Sequence, residues 1–257
     1  MDRKTQYPVR NSLFVFSSFA LVGGFLEAYT YLLHGGVFCN AQTGNLVLLF
    51  LNLLSGQYFN AGRYLFSILA YCAGILISAL LPVLLKGKHP HFIIAAVEIL
   101  SLIAISFIPL SASDWYTYVS VAFLCALQYN TFTECHDITL ATTFCTNNIR
   151  QTILFLQNGI REKNRSKLRK SGKYALVIFF FALGVVLGGV ASKYLNNFSA
   201  IVGAAILLPA FFRLAIDEFH RPPLASHAFS DSNKSNPPQP SAAHKDDSED
   251  DPEEELH

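Results

Sequence analysis

Six windows of this chain stay apolar for about the 20 residues that a helix needs to cross a bilayer. They lie at roughly 13 to 33, 62 to 85, 92 to 110, 115 to 135, 173 to 192 and 198 to 216. Of the 257 residues, 52% are hydrophobic and 14% are charged, and the mean hydropathy is +0.35. That composition belongs to membrane proteins rather than to soluble domains. The first window is too long for a signal peptide, carries Glu27 near its middle and lacks a small-residue cleavage pattern, so it reads as a retained span.

Two shorter apolar runs, about 44 to 55 and 146 to 157, open with polar residues. The first follows "CNAQTGN", residues 39 to 45. Both runs read as half-helices that enter the membrane and return, or as the deep ends of short spans. A simpler role for the polar residues is a helix cap, with Thr43 or Asn45 satisfying free N–H groups and Gly44 permitting a bend.

Sliding the chain on itself by 103 residues brings Thr43 to Asn45 onto Thr146 to Asn148, Glu27 onto Asn130 and Gly56 onto Gly159. Further along, an offset of 110 puts Gly74 on Gly184, and the basic stretch 161–173 accounts for the difference. Gly74 and Ser78, like Gly184 and Gly188, form a small-xxx-small pattern that lets membrane helices approach closely. The expected fold is therefore all-α: a polytopic membrane helical bundle of six full spans plus two short or half-helices, built from two internal repeats.

The expected organisation is a cytoplasmic segment 1–12, a membrane domain 13–216 and a tail 217–257. The membrane domain divides into repeats 13–110 and 115–216, the second containing the basic loop 161–173. Lys and Arg counts set the orientation. With three spans per half the halves are inverted, and twelve basic residues face the cytoplasm against two outside. With eight spans in parallel halves the split is eleven to three. The shortness of the two runs favours inversion. Both arrangements put the two termini and the basic loop in the cytoplasm.

Charge separates body from tail. Residues 1–216 hold 16 Lys and Arg against 7 Asp and Glu, whereas residues 217–257 hold 3 against 11. The tail, ending "DDSEDDPEEELH", has too little apolar surface to order itself. It reads as a solvated spacer or as a docking tail for a protein partner. The basic stretch reads as an anchor to anionic lipid rather than a nucleic-acid site.

A carboxylate at mid-membrane is a functional candidate by default, which singles out Glu27, and after it Glu98 and Glu134. Glu27 reads as a proton-coupling site or as a packing hydrogen bond between helices. Arg150, beside Asn147, Asn148 and Gln151 at the start of the second short run, would attract an anion or snorkel to the interface. The remaining candidates for contact with a substrate or coupling ion are Asn40, Gln42, Thr43, Gly44, Asn45, Asn130 and Thr146. "TECHD", residues 133 to 137, reads as a polar helix end. The five scattered cysteines indicate neither a disulfide framework nor a zinc site, and no metal or other cofactor is implied. No Walker loop, GxSxG, HExxH or paired-carboxylate pattern points to an enzyme.

The stretch "LVGGFLEAYTYLLHGGVFCNAQTGNLVLL", residues 21 to 49, resembles the first half of the YoaK-like family of bacterial inner-membrane proteins, and residues 126 to 156 resemble its second half. The resemblance covers about 13 to 216. It carries the family motif onto Gly24, Glu27, Thr43, Gly44 and Asn45, with an echo on Asn130, Thr143 and Thr146. The chain departs from the pattern with Glu27 where Asp is usual and Asn147 where a second glycine is expected. The resemblance implies a polytopic helical membrane protein and supplies no substrate. The expected function is a small secondary transporter or permease acting on an unknown solute or ion at the repeat interface. The alternative is a membrane scaffold or sensor with an interaction tail.

Overall fold

The computed structural model describes residues 8–85, 89–109, 111–142 and 145–220. The expected acidic tail beyond His220, the first seven residues, Lys86, Lys88 and Thr143 lie outside the described residues. Among the described residues, eight helices carry the fold: α1 (Leu13–Leu33), α2 (Gln42–Leu54), α3 (Tyr58–Leu84), α4 (Pro90–Ser106), α5 (Trp115–Thr131), α6 (Cys145–Arg161), α7 (Arg165–Leu195) and α8 (Ser199–His220). A two-stranded antiparallel hairpin, β1 (Glu134–Cys135) and β2 (Ile138–Thr139), separates α5 from α6.

Local chemistry sets the helix ends. Ser12 Oγ accepts from Val15 N–H at the start of α1, and Asn164 Oδ1 accepts from Ser166 and Lys167 N–H at the start of α7. Pro90 opens α4, where its missing N–H has no cost. Gly56, at φ 71°, makes the tight turn between α2 and α3. The stretch read as a basic loop, 161–173, is mostly helix: α6 ends at Arg161 and α7 begins at Arg165. Lys and Arg are good helix formers, and Asn164 supplies the cap.

α1 is the central element. Fourteen of its 21 residues are buried, on every face of the helix. α7 lies alongside it in the same direction, with Gly184 against the Leu21 carbonyl and Gly188 against the Phe25 carbonyl. α3 and α5 form a second parallel pair, with Gly74 against the Phe123 carbonyl and Asn130 donating to Ser78 Oγ at 2.8 Å. At Gly74, Gly184 and Gly188 backbone meets backbone, whereas Ser78 meets the Asn130 side chain.

The remaining directions follow from contacts at opposite ends. α5 runs against α1, with the Phe19 and Phe132 rings 4.3 Å apart at one end and His34 3.7 Å from Asp114 at the other. α8 runs against α4, with Phe92 stacked on Phe211 and Ile105 O accepting from Asn197. α2 folds back on α3, and α6 on α7, through Asn45 to Ser67 and Ser171 to the Thr152 carbonyl. Thus α1, α2, α4 and α7 point one way and α3, α5, α6 and α8 the other.

Among the described residues, three stretches are long and apolar enough to cross a bilayer: Leu13–Leu33, Tyr58–Leu84 and Arg165–Phe219, the last containing both α7 and α8. The first is mostly buried in protein, whereas the other two expose most of their apolar surface. That outer surface, with Phe66, Leu76, Val83, Phe179, Val186 and Phe212 all exposed, is the kind a hydrocarbon layer covers.

The "TECHD" stretch is not a helix end. α5 stops at Thr131 and the chain turns through the hairpin, with His136 at φ 54°. Asp137 is fixed there by Lys173 Nζ at 2.6 Å and Lys170 Nζ at 3.1 Å. The hydrogen bond from Lys173 is the main reason its carboxyl sits near 2 instead of the usual 3.8.

Two expected outcomes follow from the packing and the hairpin. A Cβ on Gly184 would lie 1.9 Å from the Leu21 carbonyl oxygen, while one on Gly172 meets nothing within 4 Å. Gly184→Ala should therefore cost at least about 1–3 kcal/mol in detergent unfolding, and Gly172→Ala should be neutral or slightly stabilising. A carboxyl depressed on folding stabilises fully above its unfolded value and stops doing so as pH falls through its folded value. The melting-temperature advantage of wild type over Asp137→Asn should hold between pH 7 and 5, shrink below about pH 4, and be small at high salt because the Asp137 side chain is 39% exposed.

Candidate functional site

The site is built where α1 ends and the chain turns back on itself. Gly35 and Gly36, at φ 78° and 69°, reverse the chain after α1, and residues 37–41 run back along the helix. Asn40 Nδ2 donates to the Gly23 carbonyl at 3.1 Å, ten residues before the end of α1. At 1.5 Å per residue that is about 15 Å of descent. α2 therefore begins halfway along α1 and runs 13 residues to the end where α1 finishes.

Backbone groups in such a segment have no water to pair with, so side chains must satisfy them. Glu27 does most of this. Its Oε2 accepts from Asn40 N–H at 2.8 Å and from Cys39 Sγ at 3.1 Å, and its Oε1 accepts from Ala41 N–H at 3.1 Å. Asn45 acts as a clamp: Oδ1 accepts from Phe38 N–H at 3.0 Å while Nδ2 donates to the Phe38 carbonyl at 2.6 Å and to Gln42 Oε1 at 2.9 Å. Gln42 donates to the Cys39 carbonyl.

The local cap differs from the one expected. Ala41 occupies the cap position and no neighbouring side chain closes it; the negative group at the positive end of α2 comes from α1 through space. Gly44 makes no bend. It lies inside α2, where a Cβ would come 3.1 Å from the Phe38 ring. Thr43 is exposed.

The start of α6 has a related geometry. Asn148 Nδ2 donates to the Ala141 carbonyl at 2.6 Å, across the same seven residues that separate Asn45 from Phe38. Cys145, the first residue of α6, lies within electrostatic reach of Glu27. Asn130 does not cap α6; its amide goes to Ser78. Thr146, Asn147 and Arg150 are exposed on the outer face of α6, so the grouping of Arg150 with Asn148 is not formed. A helix turns 100° per residue, and burying Asn148 sends Arg150 away from it.

A second carboxylate is buried in the interior. Glu98 of α4 is 1% exposed. With its amide nitrogen facing the carboxylate, Gln128 donates to both Glu98 oxygens at 2.9 and 3.3 Å and accepts from Thr142 Oγ1 at 3.3 Å. Gln128, Thr142 and the thiols of Cys39 and Cys125 complete the polar interior. Gln128 and Thr142 were not among the sequence candidates; the available signal for Gln128 was its amide within the apolar window 115–135, a window that also holds Asn130. Asn40 Oδ1 and Asn148 Oδ1 are buried and, among the described residues, without a hydrogen-bond partner. No group of three or more His, Cys, Asp or Glu among the described residues is arranged to hold a metal ion.

These features define an all-helical protein whose apolar helices suit a membrane and whose buried polar centre is made of amides and carboxylates. The chain belongs to the family described as "Protein of unknown function (DUF1275)", whose profile matches residues 15–214. That span nearly coincides with the extent, 13 to 216, of the resemblance seen in the sequence. No curated protein and no solved structure gives a significant match.

Glu27→Gln should separate anchoring from mere bulk. An amide nitrogen cannot accept from Asn40 or Ala41, so at least one buried N–H loses its partner. The variant should lose about 1–3 kcal/mol of stability, read by thermal unfolding in detergent, with faster hydrogen exchange confined to residues 38–45.

Proposed function

We propose that this is a small secondary transporter of six spans and two re-entrant half-helices, arranged as inverted repeats around a site at the starts of α2 and α6. The observation that carries this reading is the pair of helices that start part-way through the bundle behind matching amide clamps, Asn45 on Phe38 and Asn148 on Ala141. Several features support the repeat. α1 and α5 run in opposite directions, as do α3 and α7, and α4 and α8. Buried Ala61, Tyr64, Ser67, Gly74 and Ser78 of α3 correspond at one offset, 110, to buried Ser171, Tyr174, Val177, Gly184 and Gly188 of α7. Inverted repeats with broken helices near the midplane are the architecture of many secondary transporters.

The chemistry of the site favours a solute carrying N–H donors, or a small cation. Its groups are acceptors: the free amide oxygens of Asn40 and Asn148, and the carboxylates of Glu27 and Glu98. The exposed position of Arg150 supports no anion site there. Glu27 links proton to motion, because protonating it removes an acceptor from the N-terminus of α2 and loosens the half-helix from α1. Asn40, Asn45 and Asn148 are at most 1% exposed, which is the burial of an occluded state.

Two measurements test the proposal. In a background without the five native cysteines, a lone Cys at Asn60 should react with an impermeant reagent from the face opposite to a lone Cys at Lys163; labelling of both from one face contradicts inverted halves. In liposomes with an entrapped pH dye, ammonium, alkali cations and amines should drive proton movement more than nitrate or phosphate does. Glu27→Gln should abolish that movement's pH dependence; unchanged pH dependence removes the coupling role, and no flux with any of these solutes counts against a transporter of this class.

A further inference from the structure

A groove of about 760 Å³ opens between the first halves of α3 and α5, away from the half-helix site. Gly62 and Ala70 leave room along its length, and Phe66, Leu69, Tyr118 and Val119 make it apolar. At its mouth stands a pair of opposite charges, with the buried His34 ring 3.7 Å behind the other oxygen of the Asp114 carboxylate. Arg63 Nη2 lies 3.9 Å from Asp114 Oδ2, and the side chains are 27% and 30% exposed. A direct charge-assisted hydrogen bond measures about 2.7–2.9 Å, so neither charge is saturated by the other. Trp115 and Tyr116, stacked with ring centroids 4.1 Å apart and both exposed, stand at the same end of the bundle. Aromatic side chains of this kind mark the level of lipid headgroups.

We infer that this groove holds one zwitterionic phospholipid of the phosphatidylethanolamine type. The phosphate sits on the Arg63 guanidinium, the headgroup ammonium on the Asp114 carboxylate, and an acyl chain lies along α3 past Phe66 and Leu69. Charge complementarity selects this occupant. The mouth presents one cation and one anion close together, which matches a headgroup carrying both signs; an anionic lipid would satisfy Arg63 and be repelled by Asp114. Dimensions agree, since Arg63 to Ala70 spans seven residues, about 10 Å of helix, long enough to cover part of one chain. The Arg63 guanidinium also lies 5.1 Å over the Phe59 ring, which fixes its place at the mouth without occupying its hydrogen-bond donors.

The test uses the full-length protein, stripped of lipid in a non-ionic detergent and titrated with phosphatidylethanolamine or phosphatidylglycerol while bound lipid is counted by native mass spectrometry. One phosphatidylethanolamine should bind, at least about tenfold more tightly than phosphatidylglycerol. Gly62→Leu places a side chain in the groove where the nearest atom to a new Cβ is Phe66 Cε2 at 4.0 Å. It should weaken phosphatidylethanolamine by about tenfold with an unchanged melting temperature. Asp114→Asn should bring the two lipids to equal affinity. Equal binding of both lipids by wild type, binding unaffected by Gly62→Leu, or a dimer that excludes lipid from this face would overturn the inference.

Discussion

The carboxylate of Glu27 is the contact on which the interior depends. It sits in the middle of the most buried helix and accepts from the two backbone N–H groups that precede α2. A helix start inside an apolar bundle carries unpaired donors and a partial positive charge, and without an acceptor it would be driven to the surface. Glu27 removes that penalty, and the helix end in turn stabilises the charge. Each makes the other tolerable, which is why a carboxylate and a broken helix occur at the same depth.

Around this contact the bundle is held together in two different ways. The pairs α1 with α7 and α3 with α5 meet through glycines, backbone against backbone, so a single methyl group is enough to clash. Packing of that kind does not slide. α2 and α6 are held instead by amide clamps and have exposed apolar faces. Polar clamps can exchange one partner for another when a proton or solute arrives, whereas close-packed glycines cannot. The division between a rigid frame and two helices held by adjustable clamps is what the proposed transport cycle uses.

Much of this was visible in the residues. The apolar windows located the long helices, the glycines at 74, 184 and 188 stand where backbone meets backbone, and Asn45 and Asn148 stand near the starts of α2 and α6. Other features were hidden because they depend on which way a side chain points. Thr43, Thr146, Asn147 and Arg150 stand within a few residues of buried amides, yet face outward, since neighbours on a helix diverge by 100°. α5 ends at Thr131, so "TECHD" becomes a hairpin tied to α7 by Lys170 and Lys173. No periodicity announces an ion pair between residues more than thirty apart.

The sequence by itself determined that the chain is helical and apolar, where its long helices run, and that amides stand near the starts of α2 and α6, because length, composition and spacing act locally along the chain. Only the tertiary structure decided what those amides do. It gave the cap of α2 to a carboxylate on another helix, paired Glu98 with Gln128, and left Asn40 Oδ1 and Asn148 Oδ1 without partners. The physical reason is that a buried polar group must find its partner through space, and the partner available is whichever side chain the packing of α1 against its neighbours brings within reach.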